Sequence, residues 1–327
     1  MNGVGERVGN AGGRKLAELA EQAGRAVSES SARRDKAEPL VSVVIPTHNR
    51  AANLDEGIAG VLAGCAGASV EIIYVDDAST DATPEILAKH AAAGRIRTTR
   101  TEFGAPGPAR NAGAAIARGR YLLFTDDDCV VPPGWVTAML EARVRAGTAA
   151  VSGGFAPASM RTSAEVYYEY RMRTIYGDRA KPVAAVPMMN LLVEREAFSA
   201  VGGYSPLRLP SMEDWEFCYR LTAAGHELRY DPSVRITHAY GSDWAYVRKR
   251  VFQAAWLGPA VWRLSGLPVV KKIARDALRA AAAPVWCLTY YPLRLYVPAL
   301  GLELAYFAVR LAGLVSAARV ERALRSR

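Results

Sequence analysis

The sequence predicts an α/β fold: a mainly parallel sheet flanked by helices, followed by a mostly helical C-terminal tail. Three observations carry that expectation. Short apolar runs alternate with helix-compatible stretches from Leu40 to Thr125, each run closes on a polar cluster, and the chain changes character after about residue 242.

The elements follow in order. Leu40-Val-Ser-Val-Val-Ile-Pro46 is an apolar run closed by proline, a buried-strand signal. A helix is expected from Ala51 to Ala63, and Val70–Val75 is a second strand ending at Asp76 and Asp77. The next helix begins after Asp81 with Pro84 in its first turn. Residues 95–100 form a third strand, Gly107–Ala117 a helix, and Tyr121–Thr125 a fourth strand. Such alternation implies right-handed crossovers, with ligands beyond the carboxyl ends of the strands. The clusters at Thr47, Asp76 and Asp126 all fall there. A helix from Pro132 to Arg145 and a strand at Ala149–Phe155 come next, then an aromatic stretch, Tyr167 to Tyr176, and the apolar run Val183–Val193. Glu213 opens a helix to Ala223, with Gly225 as its stop. Leu228–Tyr230 and Val234–Thr237 read as short strands leading to His238.

Three divisions result: a polar N-terminal extension over 1–38, expected to be poorly ordered, an α/β domain over 39–242, and a helical, basic and apolar region over 243–327. From Arg248 to Arg327 fourteen Lys/Arg face three Asp/Glu, a charge of +11, while the rest of the chain stands at −2. The basic character therefore belongs to the tail. Apolar stretches beside it fit an anionic membrane surface better than nucleic acid, which asks for basic and aromatic residues on one folded face. Ala299–Ala318 is apolar almost all round, and its two charges, Glu303 and Arg310, are seven apart and share a helical face. That suits a helix lying at a membrane interface or packed on the domain. The four cysteines are scattered and read as reduced, in a cytoplasmic protein.

Asp126, Asp127 and Asp128 follow directly on the fourth strand. Adjacent like charges repel unless something positive neutralises them. Alternate residues share a side, so Asp126 and Asp128 can converge on one point. Hard oxygens there suit Mg²⁺ or Mn²⁺ together with substrate phosphates. A solvated acidic turn is the plain alternative.

The order of five pieces resembles the family 2 glycosyltransferases: Val41-Ser-Val-Val-Ile-Pro-Thr-His-Asn-Arg50, Val75-Asp-Asp-Ala-Ser-Thr-Asp81, Gly107-Pro-Ala-Arg-Asn-Ala-Gly113, Phe124-Thr-Asp-Asp-Asp128 and Ser211-Met-Glu-Asp-Trp215. Together they are specific and cover roughly residues 40–240. The resemblance implies the GT-A (Rossmann-like) fold and an inverting, metal-dependent transfer of a single sugar from a nucleotide-diphosphate sugar, with a uridine-type donor favoured. It makes Pro46, Thr47, Asn49 and Arg50 the first nucleotide-contacting loop. Asp77 would accept from the base, with Asp76 close by, and Arg110 would approach the base or diphosphate. Asp126 and Asp128 match the family's metal-binding Asp-x-Asp motif and would face the metal and donor, with Asp127 counted beside Asp126 among the nucleotide-sugar contacts and His238 as a third metal ligand. Plainer readings stand beside these: a helix cap for Asp76 and Asp77, a local ion pair for Arg110, a packed core residue for His238.

An inverting transfer also needs a general base at the acceptor hydroxyl. The resemblance assigns it to Asp214, with Glu213 as runner-up or acceptor-orienting group; a helix N-terminus favours acidic residues in any case. Two departures stand out. Ala78 occupies a position where relatives commonly carry glycine, and the Gln-x-x-Arg-Trp motif of processive synthases is absent, Gln253-Ala-Ala-Trp256 being a fragment at best. The acceptor is expected to be a sugar or lipid-linked molecule, and the enzyme to sit peripherally at the inner face of the cell membrane. A nucleotidyltransferase would want a glycine-rich basic loop after the first strand, where this chain has Pro46-Thr-His-Asn-Arg50. A non-catalytic scaffold should have lost its acidic residues.

Overall fold

The structure, a computed structural model, describes residues 38–238 and 243–325. The expectation for residues 1–37 lies outside the described residues.

The first half is the alternation expected: β1 (Val41–Thr47), α1 (Leu54–Gly64), β2 (Val70–Asp77), α2 (Thr83–Ala92), β3 (Arg97–Thr101), α3 (Pro106–Ile116) and β4 (Tyr121–Phe124). β1 and β2 are almost wholly buried, which explains their continuous Val/Ile composition. Pro84 lies in the first turn of α2, where its missing N–H costs nothing.

The second half comprises β5 (Cys129–Val130), α4 (Trp135–Ala146), β6 (Ala150–Pro157), α5 (Ser163–Tyr176), β7 (Lys181–Pro182), β8 (Leu191–Glu194), α6 (Arg195–Ala200), α7 (Glu213–Ala223) and β9 (Leu228–His238). The aromatic stretch belongs to α5, which starts at a capping box: the Thr162 hydroxyl accepts from the Glu165 amide, and the Glu165 carboxylate accepts from the Thr162 amide. The two short strands expected near residue 230 are one strand, β9, whose pairing with β6 shifts register between Gly153 and Gly154.

The sheet runs β3-β2-β1-β4-β8-β6-β9-β5, with β7 beside β9. β1 to β4 pair in parallel, but β8 is antiparallel to both β4 and β6, and β5 and β7 are antiparallel to β9. The sheet is thus mixed: parallel among β1 to β4 and again where β6 meets β9, antiparallel elsewhere. The expectation of a mainly parallel sheet flanked by helices holds through β4 and at the β6–β9 pair, and β8, entered from a 3₁₀ turn at Met188–Asn190, is the antiparallel strand between them.

Residues Leu40–Arg327 form one compact unit. Its last three helices are α8 (Trp244–Leu264), α9 (Val269–Tyr290) and α10 (Tyr296–Arg325). α10 packs along α8 so closely that a Cβ on Gly313 would sit 2.4 Å from the Trp256 carbonyl oxygen. Two of its charges point inward: Glu303 is 3% exposed and Arg310 1%. Apolar residues take the outside, with Val297, Leu304 and Val315 exposed. Among the described residues, Leu293–Ala323 is the one helical stretch long and apolar enough to cross a membrane by length and composition.

Candidate active site

Parallel register brings the strand ends level: Thr47 lies opposite Asp76, Asp77 opposite Thr101, and Val44 opposite Phe124. The loops beyond them border a cavity of about 1000 Å³, completed by α5 and by the helices from α7 to α10.

Pro46, Thr47, Asn49 and Arg50 line this cavity. Asn49 and Ala78 both take left-handed backbone, with φ of 53° and 63°. The Asn49 amide donates to the Ser79 hydroxyl (2.9 Å) and the Thr80 amide to Asn49 Oδ1 (2.8 Å), so the two loops brace each other. Asp77 lines the cavity too, while its carboxylate gathers the following loop by accepting from the Thr101 hydroxyl and from the amides of Phe103 and Ala105. Asp76 points off the cavity, as alternation along a strand requires. It accepts from the Ser79 amide at 3.1 Å and pairs with Arg100.

The aspartate run is divided among separate partners. Asp126 Oδ1 pairs with Arg110 at 2.6 Å. Asp127 accepts from the Thr47 hydroxyl at 2.7 Å and from Arg50 Nε at 2.9 Å. Asp128 lies 3.2 Å from Arg50 Nη2 and 3.2 Å from His238 Nε2. His238 is in reach because β5 and β9 pair Cys129 with it directly. Burial raises the Asp127 carboxyl above its ordinary value, and the charges of Asp128 and Asp126 add to that. Burial acts the same way on Asp128, but the His238 hydrogen bond and Arg50 outweigh it and hold that group below its ordinary value. Asp128, Cys129 and His238 offer ligand atoms all within 4.8 Å of one another. Burial pushes the Cys129 thiol well up, so it stays protonated and is a poor ligand.

The acidic pair opens α7, directly after Met212 in left-handed backbone, φ 68°. Glu213 pairs with Arg110 at 3.1 Å. Asp214 accepts from the Trp215 amide at 2.8 Å. Burial raises the Asp214 carboxyl to about 7, the neighbouring Glu213 adds to the shift, and the Trp215 amide and Arg110 oppose it. Arg110 joins both acidic groups and is itself buried, its guanidinium held charged by Asp126 despite that burial. The arrangement offers a carboxylate poised to take a proton near neutral pH, facing the same cavity as a partly neutralised carboxylate–imidazole cluster.

Arg171, Arg250, Arg279 and Arg310 also line the cavity and were not among the residues singled out from sequence. Their one signal was the seven-residue spacing of Glu303 and Arg310, which fixes a shared face but not which way it looks.

Residues 42–199 match the family model described as glycosyl transferase family 2. Over that stretch, just under half of its length, the chain is similar to the family 2 glycosyltransferases. Outside that model, the pre-mycofactocin glycosyltransferase of Mycobacterium tuberculosis is 25% identical over 235 residues, 68% of this chain and 48% of that protein. The succinoglycan biosynthesis protein ExoO of Rhizobium meliloti is 37% identical over 110 residues, 33% of this chain and 31% of its own. The aligned stretches thus span about a third to a half of these relatives. Among solved structures, the mannosyltransferase PcManGT of Pyrobaculum calidifontis, in complex with GDP-Man and Mn²⁺, superposes with a TM-score of 0.56 at 17% identity, covering 85% of this chain and 88% of that one. S. aureus TarS 1–349 with UDP-GlcNAc gives 0.54 at 15% identity, covering 88% and 91%. These likenesses establish the fold of the glycosyltransferase domain as GT-A.

Proposed function

We propose that this glycosyltransferase moves a single sugar, with inversion, from a nucleotide-diphosphate sugar to an acceptor hydroxyl, with Asp214 as the base. The observation that carries the reading is Asp214 itself: a cavity-lining carboxyl raised to about 7, beside a Glu213 already committed to Arg110. In the transfer the acceptor oxygen forms its bond to the sugar's anomeric carbon as the bond from that carbon to the diphosphate oxygen breaks. The acceptor proton passes to the Asp214 carboxylate, and the nucleoside diphosphate leaves with the electron pair. Near neutral pH such a base is matched to its task.

Donor binding falls to the strand-end loops. Pro46, Thr47, Asn49 and Arg50 would form one wall, with Asp77 directed at the base. Asp76 is left with a supporting role, through Ser79 and Arg100. Arg110, engaged on both sides by carboxylates, would hold Asp126 and Glu213 in place rather than reach the diphosphate. A divalent cation fits the donor set, since hard carboxylate oxygens and an imidazole converge at Asp128 and His238 with the second oxygen of Asp126 nearby in sequence. Mg²⁺ or Mn²⁺ held there would neutralise charge on the departing diphosphate. The names of PcManGT and TarS, with GDP-Man and Mn²⁺ in one and UDP-GlcNAc in the other, support a nucleotide-sugar donor and leave uridine and guanosine both to be tested. The relatives' names favour sugar transfer over nucleotidyl transfer.

The setting we propose is the inner face of a membrane, supported by the exposed apolar residues of α9 and α10 and the basic tail. The decisive experiment incubates the full chain with UDP- and GDP-sugars and Mn²⁺, and measures nucleoside diphosphate release and donor binding by calorimetry. Release is expected with one donor class and a loss of 10²-fold or more in Asp214→Asn. Full turnover by that variant, or no binding of any nucleotide sugar, overturns the reading.

A further inference from the structure

Beyond the donor loops, the cavity wall built by α5, α8, α9 and α10 is dominated by arginine. Arg171, Arg250, Arg275, Arg279 and Arg310 line it, against Asp276 from the same helices. Glu303, 3% exposed, is shared between Arg171, which it pairs with directly, and Arg279, 3.5 Å away. Within these four helices Asp276 and Glu303 face the arginines of the wall, while Asp214 and Glu213 act on Arg250.

Arg310 is the most telling of these. Its side chain is 1% exposed and lies between the rings of Trp262 and Tyr306, with 4.4 and 4.8 Å from guanidinium carbon to ring centre. It fits only because residue 258 is glycine: a Cβ there would lie 1.6 Å from Arg310 Nη1. Arg310 donates to the Tyr306 hydroxyl and its Nε lies 3.7 Å from Asp276 Oδ2, and among the described residues its Nε and Nη1 make no hydrogen bond. Arg279 Nε lies 3.5 Å from Glu303 Oε2, and among the described residues its Nε and Nη2 likewise make no hydrogen bond. Guanidinium donors left unmatched in a buried place are costly. Their planar fork matches phosphate oxygens, which accept two parallel N–H bonds.

We infer that the acceptor carries a phosphate or diphosphate group, bound by Arg279 and Arg310 with Arg171 behind them, while its hydroxyl is presented to Asp214. This rests on the proposed function and deepens it by naming the acceptor's chemistry. The donor's own diphosphate has its place at the strand ends, on separate elements of the fold. The same two helices, α9 and α10, expose Val285, Val297 and Val315 at 73%, 75% and 88%. A phosphate borne on a prenyl-type lipid satisfies both features.

The test titrates the full chain, in EDTA, with farnesyl phosphate, glycerol 3-phosphate and uncharged farnesol, followed by tryptophan fluorescence, since Trp262 packs on Arg310. Farnesyl phosphate is expected to bind at least 10-fold more tightly than farnesol. Arg279→Gln, at a side chain that is 35% exposed, should lose that preference while UDP or GDP binding stays as in the parent. Arg310→Lys, which keeps the charge but not the fork, should weaken phosphate binding as well. Glycerol 3-phosphate binding as tightly as farnesyl phosphate supports the phosphate site with a soluble acceptor. Equal binding of farnesol and farnesyl phosphate overturns the inference, as does a parallel loss of UDP or GDP affinity in Arg279→Gln, which would assign these arginines to the donor. Absence of any nucleotide-sugar binding alongside intact phosphate binding would sink the function proposed above and leave the anion site standing.

Discussion

Arg110 sets its guanidinium 2.6 Å from Asp126 and 3.1 Å from Glu213, so one buried cation ties the strand-end aspartates to the acidic pair that opens α7. Removing it strands two carboxylates at once. Arg110→Met is expected to destabilise the fold by about 3 kcal/mol, the low end of the range for breaking a buried pair because Asp126 keeps some contact with water. Urea denaturation reads this, and adding Glu213→Gln should restore part of the loss. A change under 0.5 kcal/mol would mean that the pair is solvated.

With Asp214 as the proposed base, its carboxyl sets the expected pH dependence. Its carboxyl is raised to about 7, by burial first and by Glu213 second. A base must be ionised, so turnover is expected to fall about tenfold per pH unit below 7 and to level off above it. Stability runs the other way. The folded state binds this proton more tightly than the unfolded chain does, so the associated stability is fully present below the unfolded value of 3.8 and is lost as pH rises through about 7. Asp214→Asn should therefore melt higher than the parent at pH 8 while losing 10²-fold or more of its activity. A lower melting temperature at pH 8 would show that the carboxylate is stabilised in the fold.

Ala78 holds a left-handed φ of 63° where a glycine would sit without strain. The turn survives because Ser79 is fastened on both sides, its amide to Asp76 and its hydroxyl to the Asn49 amide. Ala78→Gly is expected to stabilise by up to about 1 kcal/mol, or roughly 2 °C in calorimetric Tm. A drop in Tm would mean that unfolded-chain entropy outweighs the strain.

The apolar flank of α9 and α10 predicts sedimentation with anionic phosphatidylglycerol vesicles, weakened by salt. Val285→Glu, Val297→Glu and Val315→Glu together should abolish it without unfolding the chain, since all three side chains are largely exposed. Unchanged sedimentation would locate the contact elsewhere.

Much of this was legible in the sequence, for identifiable reasons. β1, β2 and β4 announce themselves because parallel strands buried on both faces read as apolar runs, whereas β3, Arg-Thr-Thr-Arg-Thr at the sheet's edge, is legible only from its place in the alternation. Helix α7 begins at Glu213 and ends at Ala223, as its pattern predicts. β8 was hidden inside the apolar run Val183–Val193, because nothing local tells an antiparallel return from a parallel strand. The start of α5 was overlooked although Thr162 and Glu165 spell a capping box. For the site, alternation separates Asp76 from Asp77 but cannot say which faces the cavity. The arginines of the wall come from helices far apart in sequence, and only their packing brings them together.

That the terminal helix turns Glu303 and Arg310 inward and Val297 and Val315 outward also bears on how the chain can be handled. Cutting before Tyr296 would take Glu303 from Arg171, whose side chain is 8% exposed, and leave a cation stranded in the cavity wall. The tail is therefore not a tether that can be trimmed for convenience. A chimera that exchanges it must bring Arg171, Gly258 and Asp276 along as a set, and any change of acceptor in such a hybrid would travel with those residues.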